Sequence, residues 1–187
     1  MDADQQRAQL ASALSRVAGG DRSALEDVYR RTSAKLFGVI LRILPDQSEA
    51  EDVLQEVYLA VWKKAGLFDA SRASPVTWLV TLARNRAIDR LRARDGRTFV
   101  SDDAVAETAD GAPLASEVME SGETADQLHR CLEVLETRHA DMVRQAFFGG
   151  LTYPALAERA GAPLGTVKSW MRRSLMKLRA CMGDAYA

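Results

Sequence analysis

The segment GAPLGTVKSWMRRSLMKLRA, residues 161–180, combines an apolar repeat with a concentration of positive charge. Five lysines and arginines and no acid lie between Leu164 and Ala180, although the chain of 187 residues has a formal net charge of −1. Apolar side chains recur there at intervals of 4, 4, 3 and 4 residues, which predicts one buried stripe: Val167, Met171, Leu175, Leu178 and Met182. The segment therefore predicts a helix over 164–182 with an apolar face and a basic face.

The residues before this helix predict a helix-turn-helix motif. Thr152 can cap a short helix over 152–160, and Gly161 suits the left-handed turn that follows. In the DNA-binding form of this motif the second helix lies in the major groove, where arginine fits guanine edges and lysine or serine fits phosphates or base edges. The outer side chains of the second helix are Lys168, Ser169, Arg172 and Arg173. A helical hairpin with a solvated basic face is the alternative interpretation.

Charge is distributed unevenly over the rest of the chain. Six arginines and only two acids lie between Arg84 and Arg97, whereas residues 98–127 contain eight acids and no lysine or arginine. The acidic stretch also contains glycine and proline and has no sustained apolar period, which is typical of a flexible linker. We therefore predict two small domains, 1–97 and 124–187, joined by a flexible acidic linker over 98–123. Solvated charged faces without a partner are the alternative explanation of such runs.

The other periodic segments are also helical, so the predicted fold class is all-α, with two small helical domains. A first helix is predicted to end near Gly19, and Asp21 can cap the second. Ser48 and Glu51 form a candidate capping box for a third helix, which ends near Ala65. Ser74 precedes a proline at the first position of a helix that ends near Arg94. After the linker, helices are predicted from a Thr124 cap to about Leu135 and over about 139–148.

Two polar surfaces are predicted in the first domain. The Ser48 helix has an apolar stripe, and on another face a polar patch of Asp52, Gln55 and Glu56, which taken alone is ordinary wet surface. The helix that follows carries a cationic stripe at a spacing of four, accompanied by aromatic and polar groups: Arg86, Arg90 and Arg94, with Trp78, Asn85, Asp89 and Arg92. Proteins that bind single-stranded nucleic acid typically combine two kinds of group. Arginines contact the phosphates, and neighbouring aromatic rings stack on the bases.

Several function classes are disfavoured. No apolar run approaches the roughly 18 residues that a membrane span needs, and the N-terminus is unlike a secretory signal. Cys131 and Cys181 form no disulfide framework, so we predict reduced thiols in a cytoplasmic protein. His129 lies two residues before Cys131 and faces another way on a helix, which disfavours zinc. The sequence contains no glycine-rich phosphate loop and no convincing catalytic triad. We therefore expect that the protein is not an enzyme and binds no metal or cofactor.

Three blocks of the chain carry a family resemblance: SEAEDVLQEVYLAVWKKAGLFD, SPVTWLVTLARNRAIDRLR and GGLTYPALAERAGAPLGTVKSWMRRSLMKLR. Their order and spacing resemble the signature blocks of extracytoplasmic-function (ECF) sigma factors, the two-domain branch of the bacterial sigma-70 family. The resemblance covers about 30–96 and 125–181. It implies that the chain directs RNA polymerase core to promoters. A stand-alone helix-turn-helix regulator, the main alternative, would leave the polar patch and the arginine helix unexplained.

The resemblance also implies roles for particular residues. Asp52, Gln55 and Glu56 match the surface that docks on the polymerase β′ clamp helices, and the loop over 63–74 matches the one that captures a flipped promoter base. The family's −10 contacts fall on Asn85, Arg86, Asp89, Arg90 and Arg92. Its −35 contacts fall on Gly165, Thr166, Lys168, Ser169, Arg172 and Arg173. The implied partners are polymerase core (β′ clamp helices and β flap), promoter DNA and an anti-sigma factor, without membrane insertion.

Three positions depart from the family pattern. Pro163 replaces a frequent serine cap, which predicts a helix start shifted by one residue, and Ala155 replaces a frequent glutamate. Trp170 stands where arginine is common, so the −35 preference cannot be transferred from relatives. We expect Trp170 to pack on a neighbouring helix rather than to contact the DNA backbone.

Overall fold

The structure of the protein is a computed structural model, and it describes residues 3–94 and 130–182. The chain divides between Arg97 and Thr98 into two compact units, called unit 1 and unit 2 below. All regular elements over 3–94 and 130–182 are helical, which confirms the predicted fold class. None of the helices described in these ranges is long and apolar enough to cross a membrane. The predicted linker and the predicted Thr124 cap lie outside the described residues.

Unit 1 is a bundle of four helices, each of which contacts the other three. Its elements are α1 (Ala3–Ala18), α2 (Arg22–Ile43), α3 (Gln47–Lys64), a short 3₁₀ helix (Ala65–Leu67) and α4 (Pro75–Arg94). The largest side chains that this bundle buries completely include Leu14, Leu36, Ile40, Leu44 and Leu79. This common core fixes which face of each helix remains exposed to solvent.

Two of the helix starts predicted for unit 1 are confirmed by the structure, and one is wrong. The Asp21 side chain accepts a hydrogen bond from the Ala24 amide at 3.1 Å, and Ser74 Oγ accepts one from the Thr77 amide at 3.1 Å, as predicted. The capping box at Ser48 is wrong, because α3 begins two residues earlier: Asp46 Oδ1 accepts from the Glu49 amide at 2.9 Å. Aspartate is as favourable an N-cap residue as serine, and Asp46 precedes Ser48 in the chain.

The inner face of α3 is tied to α2 by a buried pair of hydroxyls. Thr32 Oγ1 donates to the carbonyl of Val28 at 2.7 Å, so the Tyr58 hydroxyl donates to Thr32 Oγ1, also at 2.7 Å. Burial raises the pKa of Tyr58 to about 12, and the hydrogen bond with Thr32 lowers the pKa by a smaller amount. The tyrosine thus stays neutral, and its hydroxyl joins α3 to α2.

Unit 2 contains a helical stretch over 130–133, followed by α5 (Thr137–Phe147), α6 (Tyr153–Ala160) and α7 (Leu164–Met182). Thr152 caps α6, and Gly161 takes the predicted left-handed conformation with φ of 61°. The carbonyl of Pro163 accepts the amides of Thr166 and Val167, so α7 begins at Leu164 and the expected shift does not occur. The predicted stripe is buried at Val167, Met171, Leu175 and Leu178. The side chain of Met182 lies outside the described residues.

Cys131 and Cys181 form a disulfide, so the prediction of reduced thiols is wrong. The two residues are 50 positions apart in sequence, but their Cα atoms lie 5.7 Å apart, within the range that a disulfide spans. Periodicity predicted the helices that carry these residues, but it could not predict that the end of α7 lies beside the stretch over 130–133. The bond closes a loop that contains all of α5 and α6.

Candidate functional site

The outer face of α3 holds the predicted polar patch. Asp52 and Gln55 are exposed and Glu56 is half-buried, whereas Val53 and Val57 on the opposite side are fully buried. The same outer face includes Leu59, three residues after Glu56 and 62% exposed, which the sequence analysis missed. An apolar residue outside the buried stripe was the available signal. The α3 face therefore consists of Asp52, Gln55, Glu56 and Leu59, and it can meet a partner that is both basic and apolar.

Two arginines of α4 are bound to carboxylates of α3. Arg90 Nη2 lies 2.7 Å from Glu56 Oε1, and Arg94 Nη1 lies 3.6 Å from Glu49 Oε2. Neither pair could be predicted from the sequence, because the partners are on different helices. One residue of the predicted polymerase patch is thus in contact with one residue of the predicted −10 set.

The other predicted −10 residues lie along the same helix. Arg86 and Asp89 are exposed, while Asn85 and Arg92 are half-buried. Asn85 Oδ1 accepts a hydrogen bond from Arg84 Nη1 at 3.3 Å. The helix therefore offers guanidinium, carboxamide and carboxylate groups within about two turns, a mixture that can contact both the phosphates and the base edges of a melted strand.

An aromatic pair lies where the loop after α3 meets the start of α4. The rings of Phe68 and Trp78 are half-buried, with centroids 5.7 Å apart and planes at 58°. Next to them, the amide and hydroxyl of Ser71 donate to Asp69 Oδ1 at 2.9 and 2.7 Å, and these hydrogen bonds hold the pKa of Asp69 below its usual value. The loop is thus shaped by an ionised Asp69, and its aromatic surface can stack on an unpaired base.

The exposed face of α7 carries four of the predicted −35 residues, Lys168, Ser169, Arg172 and Arg173; Gly165 is also exposed and Thr166 is half-buried. Arg173 Nε donates to the Ser169 carbonyl at 3.4 Å, one turn back along the helix. Within the residues that the structure describes, Lys168 and Arg172 make no ion pair. With respect to the described residues, this α7 face can therefore accept phosphates and base edges without first displacing a carboxylate.

Trp170 packs on a neighbouring helix, as expected. The indole lies at the edge of the unit 2 core and its centroid is 5.6 Å from the ring of His139 in α5. The guanidinium carbon of Arg138 lies over the indole, 4.7 Å from its centroid. The residue that replaces the family's arginine is thus held by α5.

Comparisons with known proteins find family matches in both parts of the chain. The family descriptions Sigma-70 region 2 and Sigma-70, region 4 match residues 28–97 and 131–180. The ECF RNA polymerase sigma factor SigK of Mycobacterium bovis (strain BCG / Pasteur 1173P2) is 34% identical over 170 residues, covering 90% of this chain and 91% of the relative. SigK of Mycobacterium ulcerans (strain Agy99) is 36% identical over 173 residues, with coverages of 90% and 91%. A solved structure of Rhodobacter sphaeroides SigE in complex with the anti-sigma ChrR is 32% identical, with a TM-score of 0.49 and coverages of 91% and 98%.

Proposed function

The chain belongs to the ECF RNA polymerase sigma factors, and from that premise we propose which of its surfaces contact polymerase, the −10 element and the −35 element. As a sigma factor it binds RNA polymerase core and promoter DNA and initiates transcription at specific promoters. The alternative of a stand-alone helix-turn-helix regulator is set aside, because the family match includes region 2 as well as region 4. The protein is a transcription initiation factor; we assign it no reaction of its own and place it in the cytoplasm with polymerase.

For the polymerase contact we propose the α3 face. Its support is that Asp52 and Gln55 are exposed on the outer face of α3 and take no part in the core, so both are accessible to a partner. Leu59 adds an exposed apolar side chain next to these polar groups, and apolar centres with polar surroundings are typical of protein interfaces. By resemblance, the partner surface is the β′ clamp helices; the β flap is assigned to unit 2.

For the −10 element we propose α4 together with the aromatic pair at its start. Asn85, Arg86, Asp89, Arg90 and Arg92 would contact the duplex and the melted non-template strand. Phe68 and Trp78 would stack on an unpaired base. The proximity of aromatic rings to a helix rich in arginine supports this assignment, because stacking and phosphate binding act on the same strand.

For the −35 element we propose the α7 face. Lys168, Ser169, Arg172 and Arg173 would enter the major groove, and Gly165 with Thr166 would bring the first turn of the helix close to a phosphate. The observation that carries this assignment is the exposed basic face on the second helix of a helix-turn-helix whose opposite face is buried.

Run-off transcription with purified core over a randomised promoter pool tests the whole proposal. We expect enrichment of promoters that share two sequence elements at a constant separation, one for each unit. We also expect the free protein to bind promoter duplex poorly, because a flexible linker would not fix the separation of its two DNA-reading units. Tight sequence-specific binding by the free protein, or failure to co-purify with core, would contradict the proposal.

We also propose that an anti-sigma factor controls the protein by covering the α3 face, the α7 face or both. The reason is that both faces are charged and exposed, so a single cytoplasmic segment could block polymerase and DNA together. Co-expression with the neighbouring reading frame, followed by competition against core in a pulldown, tests this. If no protein displaces core and the free protein transcribes at full rate without induction, control lies in synthesis instead.

A further inference from the structure

The side chain of Arg138 contacts both helices of the helix-turn-helix from a third helix. Arg138 is the second residue of α5, and its Nη2 donates a hydrogen bond to the carbonyl of Ala160 at 3.0 Å. Its guanidinium carbon lies 4.7 Å from the ring centroid of Trp170. Ala160 is the last residue of α6 and Trp170 lies in the second turn of α7. One guanidinium therefore joins α5, α6 and α7.

The chemistry of arginine explains why one side chain can make both contacts. A guanidinium is planar, so it can stack on an aromatic ring while its N–H groups donate within its own plane. The carbonyl of Ala160 belongs to the last turn of α6, where carbonyls lack helical partners and carry partial negative charge. A lysine offers a point charge instead of a plane and could not reproduce the two contacts together.

The indole is constrained by more than this cation. Trp170 is half-buried against the unit 2 core, and its centroid lies 5.6 Å from the ring of His139, the residue after Arg138. His139 Nδ1 in turn lies 3.7 Å from Glu136 Oε2. Two consecutive residues of α5 thus hold the indole. We infer that it is not available to enter a DNA groove.

The rotation of α7 about its axis matters for base recognition. Trp170 directly follows Ser169 and is two residues before Arg172 in the same helix, so a rotation of α7 that moves the indole also moves the groups that are proposed to contact DNA. A rotation of about 20° displaces groups at the surface of a helix by roughly 2 Å. Such a displacement exceeds the range over which hydrogen bonds to base edges form, whereas a flexible side chain can still reach a phosphate.

We propose that Arg138, Trp170 and the carbonyl of Ala160 form a clasp that sets the orientation of α7 relative to α6 and thereby determines −35 specificity. The proposal rests on the −35 role of the α7 face. Arg138 and Trp170 are positioning residues, and neither touches a base. Specificity then depends on a residue of α5, outside the helix-turn-helix itself.

The test uses holoenzyme assembled from core and full-length protein, on two promoters that differ only in their −35 element. One carries the element selected from the randomised pool and the other a scrambled element. Discrimination is the ratio of the two affinities, measured over a range of salt concentrations. Arg138→Gln is expected to lower discrimination by about five- to tenfold, the low end of the value of one base contact. Affinity for the scrambled promoter and the salt dependence are expected to remain as in the wild type.

Conservative variants separate positioning from folding. Trp170→Phe keeps an aromatic face and is expected to retain most of the discrimination, whereas Trp170→Ala and Arg138→Lys are expected to lose it. The matched control is Arg144→Gln, which removes another surface arginine of α5 whose ion pair with Asp141 stays within that helix. This control is expected to behave as the wild type. Thermal unfolding establishes that each variant is folded at the assay temperature.

Wild-type discrimination in Arg138→Gln would overturn the clasp, as would a parallel loss on both promoters. A parallel loss accompanied by a smaller salt slope would make Arg138 a phosphate contact instead. Arg172→Ala, measured alongside, separates this proposal from the one on which it rests. If Arg172→Ala lowers discrimination and the Arg138 variants do not, only the clasp fails. If Arg172→Ala has no effect either, the −35 assignment fails and the clasp with it.

Discussion

Two arginines of α4 and one arginine of α7 differ in whether they are paired with a carboxylate. In unit 1, Arg90 and Arg94 each lie beside a carboxylate of α3, at 2.7 and 3.6 Å. In unit 2, Arg172 is exposed and, within the described residues, makes no ion pair. Both helices are basic in sequence and both are proposed to contact DNA. The difference between them appears only when neighbouring helices are considered.

This difference predicts two modes of DNA binding. An arginine without a carboxylate attracts phosphates from the outset, whereas Arg90 must exchange or share its partner Glu56. The exchange is not costly, because the pair is partly exposed, with 33% of the Arg90 side chain and 43% of the Glu56 side chain accessible, and exposed pairs contribute at most about 1 kcal/mol. Among the described residues, Arg172 therefore needs no exchange of partners to bind DNA, while Arg90 responds to what binds Glu56.

The largest expected effect concerns the α3 face. Replacing Asp52, Gln55 and Glu56 together with alanine should abolish binding to polymerase core, because it removes the polar groups proposed to contact the clamp. The fold should persist, since none of the three belongs to the core. Co-purification with core measures the loss, and circular dichroism measures the fold.

A control for this variant removes the same number of charges elsewhere. Glu26→Ala combined with Asp27→Ala deletes two acids from α2 and should leave core binding unchanged. If the control loses binding as well, total charge and not the α3 face governs the interaction. If the triple variant retains binding, the assignment of that face is wrong.

The next effect concerns stability and should appear in unit 2 alone. Replacing both Cys131 and Cys181 with serine opens a loop of 50 residues, and the chain-entropy estimate for such a loop is about 4 kcal/mol of unfolding free energy. Urea unfolding can be followed through Trp170 when Trp62 and Trp78 are replaced with phenylalanine. Reduction of the wild-type bond should reproduce the shift. An equal loss in unit 1, or a loss below about 1 kcal/mol, would contradict the expectation.

The disulfide also illustrates the limit of prediction from sequence. Helical periodicity predicted the buried stripe of α7, and local chemistry predicted the caps at Asp21 and Ser74 and the turn at Gly161, because these features depend on neighbours within a few residues. The cap of α3 was misplaced, since Asp46 and Ser48 compete within the same turn and sequence alone does not rank them.

Apart from Leu59, the missed features of the candidate sites are contacts between residues distant in sequence. Glu56 and Arg90 are 34 residues apart, and Arg138 and Ala160 are 22 apart. Each residue was visible as a charge or a helix end, but its partner depends on how helices pack side by side. Sequence patterns therefore predicted the charged and polar groups of each surface but not the contacts between helices.

A third prediction concerns Arg172. Arg172→Ala should leave core binding unchanged and lower discrimination between −35 sequences by about 1–3 kcal/mol, the value of one arginine contact with a base edge. Competition binding of holoenzyme on matched and mismatched promoters measures it. Equal weakening on every promoter would instead identify Arg172 as a phosphate contact. In that case the difference between α7 and α4 would lie only in the ion pairing of their arginines and not in base recognition.

A smaller effect tests the ion pair of unit 1. Glu56→Gln should raise the affinity of the free protein for a single-stranded oligonucleotide carrying the −10 sequence by about two- to fivefold, since release of an exposed pair is worth only a fraction of a kcal/mol to 1 kcal/mol. Asp52→Asn removes the same charge from the same helix, at a residue with no arginine partner in the part of the chain that the structure describes, and should have less effect. In an Arg90→Gln background the two variants should become equivalent. Equal effects in the wild-type background would mean that Glu56 does not restrain Arg90.

The smallest expected effect is the pH dependence of unit 1 at the cap of α2. Hydrogen bonds from the Ser23 hydroxyl, the Arg16 guanidinium and the Ala24 amide hold the pKa of Asp21 at about 2 instead of 3.8. A lowered pKa means that the folded state binds the proton less well than the unfolded state, so the stabilisation is complete above pH 3.8 and is lost as the pH falls through about 2. Asp21→Asn keeps a capping oxygen but cannot titrate, so its unfolding free energy should fall less steeply than that of the wild type between about pH 4 and 2. Urea unfolding of the two proteins at several pH values in this range measures the difference. Parallel pH profiles would contradict the expectation, because they would show that the hydrogen bonds from Ser23, Arg16 and Ala24 do not favour the ionised form of Asp21 in the folded state.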